Sequence, residues 1–347
     1  MSTSTQPPSP APTAVRYDAT MRAVIQRRYG SPARLSVGRV PIPAPVGGEV
    51  LVRVRASSVN ARDWHVMRGE PRIARLMAPG IFGFRGPRQA VPGTDIAGVV
   101  EVVGTDVTAW RPGDRVFGEG TGAFADWALA PSTQLARIPD DVPFEQAAAV
   151  PLAGVTALEA LVAAEPAAGR SILINGASGG VGTFALRLAR ANGLHVTAVV
   201  SPRNAAQARS LGADVTIDYT TRDFTTAVSG YDIVLDLVGN RTLAELRRIV
   251  RPLGALVLSG GGVPGHGRVV GPMRLLIQAQ IQARRSTLRI VTPEPTPSTE
   301  SLEHLIELVR TGQVTPVIDR QFTLEEAAAA IDYMETQHTR GKVVIVH

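Results

Sequence analysis

The sequence contains no cysteine. That excludes disulfides, thiolate-ligated zinc, cysteine nucleophiles and cysteine-held iron–sulfur clusters. Lysine is nearly absent as well: Lys342 stands alone against 35 arginines. Six histidines are scattered without any H-E-x-x-H spacing. A zinc site built only from histidine and carboxylates stays open on composition, but nothing in the spacing points to one. No uninterrupted apolar run reaches the roughly 18 residues of a membrane span, so no transmembrane helix is expected. Aromatics are sparse at 5%, and no basic run interleaves with them. No nucleic-acid partner is therefore expected. The net charge of +6 reads as an arginine-for-lysine bias that favours anionic ligands such as phosphates.

What is present fits a globular protein of two domains, with 347 residues and 44% hydrophobic side chains. Met1–Thr20 is rich in Ser, Thr, Pro and Ala and lacks the apolar core of a signal peptide. It reads as a disordered tail, residues 1–20, and the expected location is cytoplasmic with no membrane partner.

The chain then changes style once. Short strands are expected at Met21–Gln26, Glu49–Val59, Gly98–Val103, Arg115–Phe117 and Asp126–Ala130, punctuated by turn signals such as Arg111-Pro-Gly-Asp114. Pro41-Ile-Pro-Ala-Pro45 is a stiff connector. Residues Pro71–Pro92 break the pattern with Arg, Gly and Pro. Their Leu76, Met77, Ile81, Phe82 and Phe84 suggest a lid over an apolar pocket, or a variable surface excursion. Phe144–Ala164 reads as helical. From Ser171 strands and helices alternate: strands at Ser171–Ile174, His195–Val200, Asp232–Leu237, Ala255–Ser259 and Thr287–Val291, helices at Val181–Ala191, Asn204–Leu211, Leu243–Val250 and Pro272–Arg284. Short apolar strands between amphipathic helices indicate an α/β fold with a parallel sheet covered on both faces. Two helices, Thr299–Arg310 and Leu324–Glu335, and a final strand, Lys342–Val346, close the chain.

The strongest motif is Ile174-Asn-Gly-Ala-Ser-Gly-Gly-Val-Gly-Thr183, between an expected strand and an expected helix. Gly176 would make the tight turn, Gly179 would let backbone approach a pyrophosphate, and Gly182 would pack helix on strand. Ser178, Gly180 and Val181 complete a cradle whose helix N-terminus offers free N–H groups to phosphates. The next strand ends in Ser201-Pro-Arg-Asn204, where an NAD site usually carries an acid. Ser201 and Arg203 instead suit a 2′-phosphate, so the expected cofactor is NADP(H). Tyr219 either flanks the adenine side or caps the sheet.

These residues resemble the medium-chain dehydrogenase/reductase superfamily, closest to its zinc-independent quinone oxidoreductase branch, which includes a reticulon-interacting relative. The likeness runs from about Met21 to His347, through Ser58-Val-Asn-Ala-Arg-Asp-Trp64, Pro92-Gly-Thr-Asp-Ile-Ala-Gly-Val-Val100, Pro112-Gly-Asp-Arg-Val-Phe117, Ala147-Ala-Ala-Val-Pro-Leu-Ala-Gly-Val-Thr156, the glycine motif and Thr339-Arg-Gly-Lys-Val-Val-Ile345. It implies a GroES-like β-rich catalytic domain, 21–146 plus 295–347, around a Rossmann cofactor domain, 147–294. It also implies cofactor contacts from Asn60, Thr156, Val238, Gly239, Gly260, Gly261, Gly262 and Lys342, with no metal. A homodimer through the Rossmann edge strand is the expected assembly.

Without a metal, reduction of an already polarised acceptor is the easier chemistry. The expected activity is NADPH-dependent hydride transfer to a small-molecule quinone or α,β-unsaturated carbonyl. Catalytic candidates are Asn60, Asp63 and His65: Asn60 to position nicotinamide or acceptor, Asp63 to orient a neighbour or cap a helix, His65 to donate a proton or simply pack on Trp64. Two other readings stand beside this one: an enoyl-thioester reductase with Arg85 and Arg88 at a basic rim, and an NADPH-binding regulatory protein with little turnover.

Overall fold

The computed structural model describes residues 19–260, 273–283, 288–337 and 339–347. Most of the expected tail, together with Gly261 and Gly262, lies outside the described residues.

In chain order, β1 (Thr20–Ile25) and β2 (Ser36–Pro41) pair as an antiparallel ribbon. They are followed by β3 (Glu49–Val59), β4 (Asp95–Val103), β5 (Arg115–Glu119), β6 (Trp127–Pro131) and β7 (Leu135–Arg137). Next come β8 (Ser171–Asn175), β9 (His195–Val200), β10 (Val215–Asp218), β11 (Tyr231–Asp236), β12 (Val250–Leu258) and β13 (Arg289–Val291). Last are β14 (Ile318–Thr323) and β15 (Lys342–Val346).

These strands make two large sheets. One has the order β14-β15-β3-β4-β5-β7, with β6 also on β3. The other has the order β10-β9-β8-β11-β12-β13 and is parallel throughout. Counted from β8 that is 3-2-1-4-5-6, the doubly wound arrangement, whose ligand crevice lies beyond the carboxyl ends of the central strands. Its inner strands are buried on both faces, which is why Ile172–Ile174 and Val196–Val200 read as near-continuous apolar runs. The helix Gly180–Ala191 buries Phe184, Ala185, Leu186 and Leu188 in one core with the helix Pro151–Ala163 and with Leu302 and Leu305.

The chain's last strand crosses back. β15 pairs antiparallel with β3, Val343 opposite Val59 and Val346 opposite Ala56. This return carries Lys342 from the end of the sequence into the middle of the molecule.

Several elements depart from the sequence reading. β2, β7 and β14 occupy stretches where no strand is expected, and the helix Ala61–Arg68 follows β3 directly. The segment 71–92 is expected to be a lid over an apolar pocket or a surface excursion. Of the five apolar residues singled out in it, Phe82 alone is buried, while Leu76, Met77, Ile81 and Phe84 face solvent.

Candidate active site and cofactor cradle

The glycine motif sits where β8 turns into the helix Gly180–Ala191. Each glycine answers a different constraint. Gly176 has φ +84°, and a Cβ there would meet Val238 Cγ2 at 2.7 Å. Gly182 lies so close to the turn that a Cβ would stand 2.3 Å from the Gly176 carbonyl oxygen. Gly179 has ordinary extended backbone (φ −77°, ψ 178°), and a Cβ there would meet nothing nearer than 3.6 Å. Space in front of the helix N-terminus is thus kept open by a residue whose backbone does not itself demand glycine. Ser178, Gly180 and Val181 are half-buried around it.

The neighbouring strand ends shape the rest of the crevice. Asp236, fully buried at the end of β11, accepts from Asn175 Nδ2 at 2.8 Å and from the Val238 and Gly239 amides at 3.2 Å. Burial pushes its carboxyl up, against those hydrogen bonds. Gly260 leaves no room for a side chain, because the Val238–Gly239 backbone fills that position at 2.7 Å. At the end of β9, Ser201 is buried and its Oγ has no hydrogen-bond partner among the described residues. A buried hydroxyl without a partner costs about 1–3 kcal/mol, so this atom fits a ligand-facing role. Arg203 is exposed beside it, its carbonyl accepting from Arg340 Nη2 at 3.1 Å. Tyr219, at the end of β10, is 41% exposed. The cradle, the open face of Gly179 and the orphaned Ser201 hydroxyl together fit a phosphorylated dinucleotide.

A second, wholly buried polar cluster abuts the cradle. Asp95, at the start of β4, accepts from Ser58 Oγ at 2.7 Å, from Asn60 Nδ2 at 2.9 Å and from the Leu152 amide at 3.2 Å. Lys342 Nζ lies 3.3 Å from the same carboxylate and donates to Asn60 Oδ1. Lys342 is 3% exposed and Asp95 0%. The lysine stem also touches the cradle: a Cβ on Gly180 would meet Lys342 Cδ at 2.9 Å. Gly341 and Gly179 form a parallel bridge beside it. Five pieces of chain therefore meet at one ion pair: β3, β4, β15, the helix Pro151–Ala163 and the glycine turn. The sequence reading placed Asn60 and Lys342 here but missed Asp95 and Ser58. The available signal was a carboxylate heading a mostly apolar strand, ahead of Ile96 and Ala97.

The other candidates are placed less centrally. Asp63 closes the first turn of the helix Ala61–Arg68, its Oδ2 accepting from the Asn60 amide at 2.7 Å. Burial pushes its carboxyl up to about 7. His65 stacks on Trp64 with ring centroids 3.9 Å apart, and its Nδ1 lies 2.9 Å from the Glu70 carbonyl oxygen. Thr156 Oγ1 donates back to the Leu152 carbonyl at 2.6 Å, on the helix whose first turn Asp95 anchors. Glu119, opposite Asp95 in the β4–β5 register, is also pushed up by burial, against the Arg62 guanidinium 3.1 Å away.

The Asp63 shift has a testable sign. A carboxyl whose folded pKa stands near 7 holds more protons than its unfolded counterpart between about pH 4 and pH 7. Folding stability from this group therefore falls as pH rises through that window. Asp63→Asn should gain on the wild type by up to about 1.4 kcal/mol per pH unit there. Urea midpoints of the two proteins across the window would show it. Parallel pH profiles would mean that the group titrates alike in both states.

Residues 47–140 match the alcohol dehydrogenase GroES-like domain, and residues 211–345 the family model described as zinc-binding dehydrogenase. Over 340 residues the chain is 34% identical to a chloroplastic quinone-oxidoreductase of Triphysaria versicolor, covering 94% of this chain and 98% of the relative. The chain belongs to the medium-chain dehydrogenase/reductase superfamily. Within this family it is 31% identical to the chloroplastic NADPH-dependent alkenal/one oxidoreductase of Arabidopsis thaliana, across 94% of this chain and 79% of the relative. The quinone oxidoreductase of Coxiella burnetii superposes with a TM-score of 0.81 at 29% identity, over 95% of this chain and all of that one. Cysteine is absent, and among the described residues no three His, Asp or Glu side chains are grouped to hold a metal ion. Also among the described residues, no helix is long and apolar enough to cross a membrane.

Proposed function

We propose that this oxidoreductase transfers a hydride from NADPH to quinones or other α,β-unsaturated carbonyls without a metal ion. The observation that carries the reading is the junction at Lys342, where the phosphate cradle and the buried Asn60–Asp95 cluster share one side chain. The names of the relatives, quinone oxidoreductase and alkenal/one oxidoreductase, support the same acceptor class.

Bound NADPH supplies the hydride, and the protein's groups hold and orient. Gly179 and the N-terminus of its helix meet the pyrophosphate. Ser201 and Arg203 face the 2′-phosphate. Asn60 engages both of its polar side-chain atoms within the protein, with Asp95 and with Lys342. We therefore assign it to positioning. A conjugated acceptor takes the incoming charge onto its own oxygen, so the protein needs only one proton source there. Asp63 and His65 remain the candidates for that proton. The homodimer through β13 belongs to the same proposal. Among the described residues this short outer strand pairs only with β12, and it leaves a sheet edge that a second copy could cover.

The test is steady-state loss of reduced nicotinamide with a panel of simple quinones, enones and an enoyl thioester, with NADH in parallel and a chelator control. Turnover on quinones or enones that prefers NADPH and survives the chelator is expected. Turnover confined to the thioester would overturn the acceptor class. Tight NADPH binding with no turnover would make this a binding protein.

The cofactor preference has its own check. Ser201→Ala/Arg203→Ala removes two polar contacts to a charged group, each worth about 1.5–3 kcal/mol. NADPH should bind at least about 100-fold more weakly while NADH changes little. Equal losses for both cofactors would place the 2′-phosphate elsewhere.

A further inference from the structure

Between the helix Ala61–Arg68 and β4, the chain makes an excursion whose surface the reductase chemistry does not explain. From Pro71 to Thr94 it contains no carboxylate. Its apolar side chains point outward: Phe84 is 91% exposed, Leu76 84%, Met77 55% and Ile81 47%. Arginines are interspersed, with Arg72, Arg85 and Arg88 exposed in the excursion and Arg27 and Arg28 exposed beside it. A fold that leaves four large apolar residues in water at one place has a reason to do so.

The excursion is also held in shape. Phe82 is buried and bridges to Pro87. Tyr29 Oη donates to the Gly83 carbonyl at 2.7 Å, Arg88 Nε to the Pro79 carbonyl at 3.0 Å, and the Gly83 amide to the Gly86 carbonyl at 3.0 Å. Gly86 sits directly on the Arg27 carbonyl, where a Cβ would come within 2.4 Å. The outward apolar side chains thus stand on an anchored base that also carries the arginines.

We propose that this face seats the protein on an anionic lipid bilayer. Exposed Phe, Leu, Ile and Met enter the interfacial region, and arginines around them meet lipid phosphates, the composition of peripheral membrane binders. Charge decides against a second copy as the occupant, because two such faces would set arginine against arginine with no carboxylate between them. A surface seat needs no spanning helix. It revises the expectation, drawn from the lack of a long apolar run, that no membrane is involved.

The test is co-sedimentation of the full chain with vesicles of phosphatidylcholine alone or mixed with phosphatidylglycerol, at low and high salt. Binding is expected only to the mixed vesicles, falling with salt. Leu76→Ser/Phe84→Ser and Arg28→Glu/Arg72→Glu should each reduce the partition by more than about ten-fold. NADPH binding and thermal unfolding should stay at wild-type values, which separates a lost seat from a lost fold. Wild-type protein that ignores mixed vesicles at low salt would overturn the proposal. So would a variant pair that binds as well as the wild type. A wild-type dimer that Leu76→Ser/Phe84→Ser converts to monomer, with no vesicle binding, would instead make this face a self-contact.

Discussion

Lys342→Met should cost the fold about 3 kcal/mol, the lower end of the range for removing one partner of a buried ion pair. Asp95 is fully buried and in that variant loses the one charged donor it has among the described residues. Three neutral donors remain, from Ser58, Asn60 and Leu152. They soften the loss but do not replace the ammonium. The second half of the expectation is more diagnostic. Adding Asp95→Asn to Lys342→Met removes the stranded charge, so the double variant should recover much of the stability. Asp95→Asn alone should cost less than Lys342→Met, because the amide keeps an oxygen for the three neutral donors and Lys342 keeps Asn60 Oδ1 as an acceptor. Urea unfolding of the four proteins completes the cycle. A Lys342→Met cost below about 1 kcal/mol, the scale of an exposed pair, would show that water reaches the cluster. NADPH affinity should fall alongside stability, since the lysine stem lies on the first turn of the cradle helix.

That cluster also marks the limit of local sequence reading. The Rossmann half was legible because its physics is local: strands buried on two faces are written as short apolar runs, and the glycine motif stands between one such strand and its helix. β15 matches its expected span of Lys342–Val346 for the same reason. β2 was not legible. Its sequence, Ser-Val-Gly-Arg-Val-Pro, leaves Val37 exposed and puts Gly38 at one of the two less exposed positions, so no apolar alternation shows there. The helix Ala61–Arg68 is eight residues long and buries only Trp64 and Met67 among its apolar side chains, too few to show a helical period. Asp95 was quoted within a motif but not singled out. Its partner Lys342 lies 247 residues away, and only the return of β15 onto β3 brings them together. Gly260 shows the converse. It was chosen for a cofactor contact, yet its missing side chain is already required by the Val238–Gly239 turn packed against it.

The cradle glycines should separate binding from folding when each is changed to valine. Gly182→Val drives a side chain into the Gly176 carbonyl and the Ala177 backbone, with the first atom already at 2.3 Å. Backbone cannot step aside as a flexible side chain can, so the cost should exceed about 3 kcal/mol, beyond ordinary overpacking. Gly179→Val meets no such obstacle. Its backbone is extended, its Cβ position is open, and the price is a poorer helix cap, about 1 kcal/mol. The new side chain would instead occupy the approach to the helix N-terminus, where the pyrophosphate is proposed to lie. NADPH affinity should therefore drop by about 100-fold, close to 2.8 kcal/mol, in a protein that unfolds almost where the wild type does. Fluorescence titration with NADPH, beside thermal unfolding, reads both quantities on the same samples. If Gly179→Val binds NADPH normally, the phosphates do not sit at this turn, and the cradle assignment fails while the fold stands. If Gly182→Val folds normally, the helix can move off the strand, and the close packing seen at Gly176 is not what the third glycine is for.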